Sequence, residues 1–218
     1  MIPLLHDFTG ERVLVVGGGA VGARKARKFA REAHVIVLGP EFGDRSFEAD
    51  GGTGETDLVR AAPEPDDISD WVERVDPALV VAATDVGAVN AAAERAAHDH
   101  GALVNRADHS GDREAGSVVV PATIRDDPVI AALATGGTAP ALSRYLRQQV
   151  EVEIEGAGAM AEVLGTIRAE LKRRDLPEST RREAILSVLE SSSVWKALQA
   201  EPANGMEEAR RIVQEITQ

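Results

Sequence analysis

Cysteine is absent from the 218 residues. That excludes a disulfide framework, a thiol nucleophile and any thiolate-bound metal or iron–sulfur cluster. Any metallation chemistry must therefore use oxygen or nitrogen groups. Lysine is scarce: Lys25, Lys28, Lys172 and Lys196 are four of 24 basic residues. No apolar run approaches the ~20 residues needed to span a bilayer. The opening MIPLLHDFTGER carries neither a cationic region nor an apolar signal core, so a cytoplasmic protein is expected. Positive charge is in deficit, 24 bases against 36 acids, for a formal net charge of −12. Such a surface repels phosphate backbones and anionic lipid, so neither nucleic acid nor membrane is expected as a partner.

What is present is ordinary for a globular chain. A hydrophobic content of 44% is enough to build a core. The length allows one full domain with an appendage, or two small domains. The acids are concentrated, with twelve Asp or Glu against three Arg between Glu41 and Asp76. That stretch reads as a solvated face or as an adaptation to high salt, where screening tames self-repulsion; the low lysine content favours the latter.

Residues 12–17 (RVLVVG) are a short β-branched run bounded by turn residues and predict a buried strand. A Gly-rich turn comes next, then a helix over 23–32 and a second buried strand over 34–38, stopped by Gly39-Pro40. Residues 41–68 are expected to hold a short edge strand and a loop. Further strands are expected over 78–83 and 102–105, with an alanine-rich helix over 86–101 between them. Strands alternating with helices imply an α/β fold with a Rossmann-type, doubly wound parallel sheet. After Asp108 the pattern changes. Residues 117–123 and 128–134 read as an antiparallel pair separated by 124–127, and a helix is expected over 139–155 with Pro140 in its first turn. The remainder predicts a helical C-terminal domain, with Met160, Leu164, Ile167 and Leu171 at helical spacing, then Ile185, Leu186 and Leu189, then Met206, Ile212, Val213 and Ile216. The expected division is 1–113, 114–150 and 151–218.

Gly17-x-Gly19-x-x-Gly22 is a dinucleotide-binding pattern in its confirming context, with a strand before it and a helix and strand after it. Gly17 permits the tight turn, Gly19 lets backbone approach the pyrophosphate, and Gly22 allows close helix–strand packing. The diphosphate then lies on the free N–H groups from Ala20 and Val21 onward. The acidic residue expected for the ribose hydroxyls is Glu41, two or three positions past the strand end. No basic residue sits there, so NAD is favoured over NADP. Thr84 and Asp85 come after the strand over 78–83, where they either line the nicotinamide side or cap the next helix. Asn105 ends the next strand, and Asp108 and His109 after it are candidate acid/base groups.

At these residues a resemblance becomes specific. The chain resembles the precorrin-2 dehydrogenase and sirohydrochlorin ferrochelatase family, the N-terminal part of siroheme synthase. The match is carried by 17–25 (GGGAVGARK), 82–85 (AATD) with Asn90, Val104-Asn105, Asp108, Pro121-Ala122, and 135–140 (TGGTAP) with Ser143-Arg144 and Leu146-Arg147. It covers roughly residues 2 to 150. The resemblance implies oxidation of precorrin-2 to sirohydrochlorin with NAD, Fe2+ as a further substrate in some members, and a homodimer whose interface is built by about 116–134. It also implies that Asp108 is the catalytic aspartate and that Thr135 lies near the tetrapyrrole. That substrate is a polycarboxylate, and Gly136, Gly137 and Thr138 at a helix N-terminus suit an anion. Arg144 and Arg147 share one helix face, and Arg106 and Arg113 flank Asp108; surface salt bridging is the competing use for these arginines.

The span from Asn105 to Pro121 is a few residues longer than the family's spacing, so His109 or Asp112 could share the duties of Asp108. No His, Asp or Glu cluster has metal-ligand spacing, and the metal ligands stay unassigned. Two other readings remain: a dinucleotide-sensing regulatory module, whose signature would be an acidic residue ending the second strand where Leu38-Gly39 stands, and a protein that holds a tetrapyrrole without transforming it.

Overall fold

The computed structural model describes residues 2–109 and 116–218, so Asp112 and Arg113 lie outside the described residues. The chain forms two compact units, Met1–Val120 and Pro121–Gln218.

The first unit is a five-stranded parallel sheet in the order β3-β2-β1-β4-β5, built from β1 (Arg12–Val16), β2 (His34–Gly39), β3 (Glu55–Arg60), β4 (Leu79–Ala82) and β5 (Leu103–Arg106). The doubly wound α/β expectation is borne out. Side chains alternate across a strand, so a strand covered on both faces must be apolar at every position. The runs RVLVV and HVIVLG meet that requirement after their first residues, Arg12 and His34, which stand at the open amino-terminal ends. Leu14, Val16, Ile36, Leu38, Val80, Ala82 and Val104 face one core, with α3 (Gly87–His100) and α2 (Ile68–Val75). Val13, Val15, Val35, Val37, Leu79 and Val81 face the other, with α1 (Ala20–Phe29). Two of the three covering helices present alanines to the sheet, Ala23 and Ala26 on α1 and Ala92, Ala93, Ala96 and Ala97 on α3. Small side chains there let the helix backbone close on the strands.

Two features depart from the sequence-based expectation, the helix α2 and the placement of Ser117, while the acidic stretch is solvated as expected. The helix α2 is an addition: Ile68, Val72 and Val75 are buried at helical spacing inside the acidic stretch. All twelve acids between Glu41 and Asp76 are exposed, so the charge there meets solvent. The segment expected to open the hairpin at Ser117 instead joins the parallel sheet. Ser117 bridges Val104, Val118 N–H donates to Val104 C=O at 2.7 Å, and Val118 packs on the α1-side core.

In the second unit the antiparallel pair is present, shifted along the chain to β6 (Ala122–Asp126) and β7 (Val129–Leu133), with Asp126 opposite Val129. Of the residues 124–127 expected to separate the strands, Ile124, Arg125 and Asp126 lie inside β6, and the turn is Asp127-Pro128. Asp126 also accepts from Gly158 N–H at 3.0 Å, tying the hairpin to α5. The helices are α4 (Pro140–Glu153), α5 (Ala157–Lys172), α6 (Glu178–Glu190), α7 (Ser192–Ala200) and α8 (Pro202–Ile216). Met160, Ile167 and Leu171 enter the core as expected, joined by Val163, Ala184, Val188, Val194, Leu198, Ala209 and Val213. On α6 the small Ala184 and Val188 turn inward, one helical turn apart, while Leu186 and Leu189 are exposed. Ser191 divides α6 from α7, its hydroxyl accepting from Val194 N–H at 3.4 Å as an N-cap. No helix among the described residues is long and apolar enough to cross a membrane.

Candidate active site

The glycine turn lies at the carboxyl end of β1, where an open parallel sheet presents its crevice. Gly17 has φ +126, and a Cβ there would strike the Ala83 carbonyl. A Cβ at Gly22 would overlap the Gly17 carbonyl, so no larger residue lets α1 pack this close to β1. A Cβ at Gly18 would meet the Glu41 carbonyl, which places Glu41, exposed, directly beside the turn. Gly19 is different: it has ordinary φ −77 and nothing lies within 4 Å of where its Cβ would be. It is the N-cap of α1, no side chain caps it, and Gly19, Ala20 and Val21 are exposed. Two glycines close the turn and the third leaves backbone N–H groups open, the arrangement a pyrophosphate requires.

Around the ends of β4 and β5 a polar network replaces the apolar core. Thr84 and Asn90 are locked reciprocally: Thr84 N–H donates to Asn90 Oδ1 at 3.1 Å, Asn90 Nδ2 donates to Thr84 C=O at 2.9 Å, and the Thr84 hydroxyl lies 2.7 Å from Asn90 Oδ1. Thr84 also accepts from Val86 N–H at 3.2 Å, while Asp85 is exposed and α3 takes no side-chain cap. Asn105 is buried and its Nδ2 donates to Val118 C=O at 2.7 Å; its Oδ1 has no hydrogen-bond partner among the described residues. An orphaned buried oxygen costs ~1–3 kcal/mol unless a donor reaches it. Its place beside the crevice fits the amide-bearing end of a dinucleotide.

Asp108 is held by Arg106 through both oxygens, Nε to Oδ1 at 2.8 Å and Nη2 to Oδ2 at 2.7 Å. The remaining nitrogen, Nη1, donates to Glu94 Oε2 at 2.7 Å. Arg106 is 8% exposed and Glu94 14%, while the Asp108 side chain is 28% exposed, so a buried pair holds a carboxylate that reaches solvent. The Arg106 hydrogen bonds hold the Asp108 carboxyl far below the usual carboxylate range, with the Asn90 amide adding to the effect against the opposing cost of burial. His109 stands at the rim, its side chain 54% exposed, with Nε2 3.2 Å from Arg106 Nη2 and 4.0 Å from Asp108 Oδ2.

In the second unit, Gly136 and Gly137 both have positive φ and form the turn before α4. Thr135 Oγ1 is 2.8 Å from Ser143 Oγ, and Thr138 Oγ1 donates to Thr135 C=O at 2.7 Å, which fixes the turn. Arg144 is exposed, without an ion pair among the described residues, while Arg147 pairs with Glu151 at 3.0 Å. A surface salt bridge is therefore present at Arg147, whose side chain stays 37% exposed. At Arg106 the salt bridging is buried, with Nε and Nη2 on Asp108 and Nη1 on Glu94. A cavity of about 560 Å3 opens at the opposite, amino-terminal edge of the parallel sheet, lined by Arg12, His34, Asp76 and His100. There Arg12 and His100 both bind Asp76, at 2.7 and 2.9 Å. It lies away from the glycine turn, Asp108 and every other candidate residue of this unit.

A family model described as "Putative NAD(P)-binding" matches residues 4–122. The chain belongs to this family. Among relatives of this NAD(P)-binding chain, siroheme synthase of Azotobacter vinelandii is 35% identical over 183 residues, 83% of this chain but 37% of that protein. Precorrin-2 dehydrogenase of Methanosarcina barkeri is 29% identical over 214 residues, 97% of this chain and 93% of the relative. The chain thus spans little more than a third of the first and nearly all of the second. The solved structure of SirC, precorrin-2 dehydrogenase, matches with a TM-score of 0.68 at 21% identity, covering 99% of this chain and 98% of that one, which establishes a shared fold. The resemblance carried by GGGAVGARK, AATD and TGGTAP is borne out. Glu94 is the site residue that sequence reading missed. It lies on an alanine-rich helix twelve positions before Arg106, and no local pattern marks it.

Proposed function

We propose that the chain oxidises precorrin-2 to sirohydrochlorin with NAD as hydride acceptor. The observation that carries this is the turn in which Gly17 and Gly22 must be glycine while Gly19 opens onto uncapped N–H groups, on the same carboxyl edge as Asp108. The name of the Methanosarcina relative, which matches this chain over nearly its whole length, supports the substrate. Bound NAD supplies the acceptor for the hydride that leaves the macrocycle. Gly17, Gly19, Ala20, Val21 and Gly22 hold its diphosphate, Glu41 its ribose, and Thr84, Asp85 and Asn105 line its nicotinamide side. The accompanying proton leaves the macrocycle at Asp108, with His109 beside it. Thr135, Gly136, Gly137, Thr138, Arg144 and Arg147, with Arg113, bind the substrate's carboxylates.

The proposal extends to a cytoplasmic homodimer with a surface adapted to high salt. Ile130 on β7 is exposed in the single chain, as are Leu142 and Tyr145 on the helix that follows, which supports a dimer interface built by about 116–134 and the start of α4. It also extends to Fe2+ as a second substrate, in keeping with the siroheme synthase relatives. The test is purified protein with precorrin-2 and NAD, reading NADH and sirohydrochlorin, with a second arm adding Fe2+. One NADH per sirohydrochlorin is expected. Normal binding of both ligands without oxidation would overturn the assignment and leave the sensing or tetrapyrrole-holding readings. Asp108→Asn is expected to lose on the order of 10²–10⁴-fold in turnover while keeping NAD affinity. Unchanged turnover would move the proton to His109 or Asp112.

A further inference from the structure

We propose that Arg106, braced by Glu94, is a positioning residue that clamps Asp108 as a fixed carboxylate anion at the carboxyl edge of the sheet. The inference rests on Asp108 being the acid/base group of the dehydrogenase reading, and it assigns that residue a controlled ionisation state. The geometry carries it. A guanidinium presents donors in a rigid fork, and two of them here meet the two oxygens of one carboxylate in the strongest pairing such groups make. The third direction of the fork is anchored 2.7 Å from Glu94, on a different element, so the guanidinium cannot swing away with Asp108. Asn90, fully buried on α3 and itself locked to Thr84, also favours the ionised form of Asp108. Arg106 on β5 is thus held in place from α3 while it grips Asp108.

Two consequences separate a clamp from a salt bridge that merely joins α3 to β5. First, Asp108 stays ionised through the whole carboxylate range, so it enters each turnover without a proton and the reaction persists into acid. Second, one arginine serves two carboxylates, so removing the arginine and removing Glu94 act in opposite directions. Without Arg106, Asp108 loses its counter-charge beside a second buried acid and its ionisation moves up. Without the Glu94 charge, Arg106 is left wholly to Asp108 and its ionisation does not rise. Among the described residues, the charged or polar groups facing Asp108 are Arg106, Asn90 and His109, with Glu94 acting through Arg106. A loosening of the fold would raise both variants alike.

The test reads the Asp108 carboxyl by carbon-13 NMR against pH in the protein without ligands, alongside the pH profile of kcat with precorrin-2 and NAD. The wild-type carboxyl is expected to show no titration step in the ordinary carboxylate range. Arg106→Met is expected to bring that step up by about 1–3 pH units and to move the acid limb of kcat with it, at unchanged NAD affinity. Arg106→Lys restores the charge without the fork and is expected to fall between the two. Glu94→Gln is expected to leave the step low. Should Arg106→Met not fold, Glu94→Gln with Arg106→Met removes both buried charges and is read in the same way. A wild-type Asp108 that titrates in the ordinary range, or a folded arginine variant in which it still fails to, overturns the clamp. Because the NMR titration needs no substrate, it decides the clamp even if precorrin-2 is not oxidised, an outcome that would count against the dehydrogenase reading alone.

Discussion

Alanine at Gly19 and alanine at Gly22 are the same chemical change three residues apart, and the structure assigns them opposite consequences. At Gly19 the backbone lies at φ −77 and the new methyl meets nothing within 4 Å. Two small terms act on stability: fewer unfolded conformations add about 0.4–1 kcal/mol, and alanine is a poorer N-cap than glycine by roughly the same amount. They nearly cancel, so the melting temperature should stay within about 2–4 °C of wild type for a chain of this size. The methyl stands in the opening through which a pyrophosphate reaches the helix N–H groups. NAD affinity should therefore fall at least about tenfold, or ~1.4 kcal/mol. At Gly22 the methyl overlaps the Gly17 carbonyl, and backbone on both sides cannot yield as a flexible side chain would. Overpacking of this kind costs about 1–3 kcal/mol, so unfolding should occur about 2–12 °C lower. The assay is thermal unfolding together with calorimetric titration of NAD. A Gly19→Ala protein that binds NAD as wild type does, or a Gly22→Ala protein as stable as wild type, would refute this account of the turn.

Other single features carry expectations of their own. Leu171 is 1% exposed at the centre of the second unit's core; Leu171→Ala should cost about 2–5 kcal/mol in denaturant unfolding while leaving NAD binding to the first unit intact. The Arg211 guanidinium, with the Ser193 hydroxyl, holds the Glu208 carboxyl down from an ordinary 4.5 to about 2. A depressed carboxylate stabilises the fold above its ordinary value and loses that contribution as pH falls, so the α7–α8 contact should weaken between about 4.5 and 2. Carbon-13 titration of Glu208 checks this, and a midpoint near 4.5 would contradict it. Raising KCl from 0.1 to 1 M shortens the screening length from about 10 to 3 Å. It should raise the melting temperature of a chain with net charge −12, and a fall would argue against the high-salt reading of its surface.

The parallel sheet was legible because its strands are buried on both faces: RVLVV and HVIVLG admit no other placement, and the glycine spacing set the turn after β1. The short helix α2 was hidden by its surroundings, although Ile68, Val72 and Val75 carry the helical spacing in plain view. The strand β6 was misplaced because Arg125 and Asp126 look like loop residues, yet on a two-stranded hairpin one face is free to be polar. On α6 the leucines drew attention and the smaller Ala184 and Val188 were buried, since helix phase is set by what fits against the neighbouring helices. The site divides in the same way. Gly17, Gly19, Gly22 and Asp108 are local motifs; the use of Arg106 is not, because it depends on Glu94 arriving from another element.

The two margins of the parallel sheet are finished by different means. At β5 the exposed backbone is covered, as Ser117 and Val118 lie alongside Val104 and Asn105 fastens them. At β3 the described residues add no further strand, and the outermost segment carries Glu55, Asp57 and Arg60 within the exposed acidic stretch. An uncovered strand is a template onto which a neighbouring molecule can add its own. Charges along β3 make that addition unfavourable, so the acids that set the net charge also stop the sheet from growing between molecules. Neutralising Glu55 and Asp57 would open the chain to edge-to-edge aggregation while leaving its core untouched.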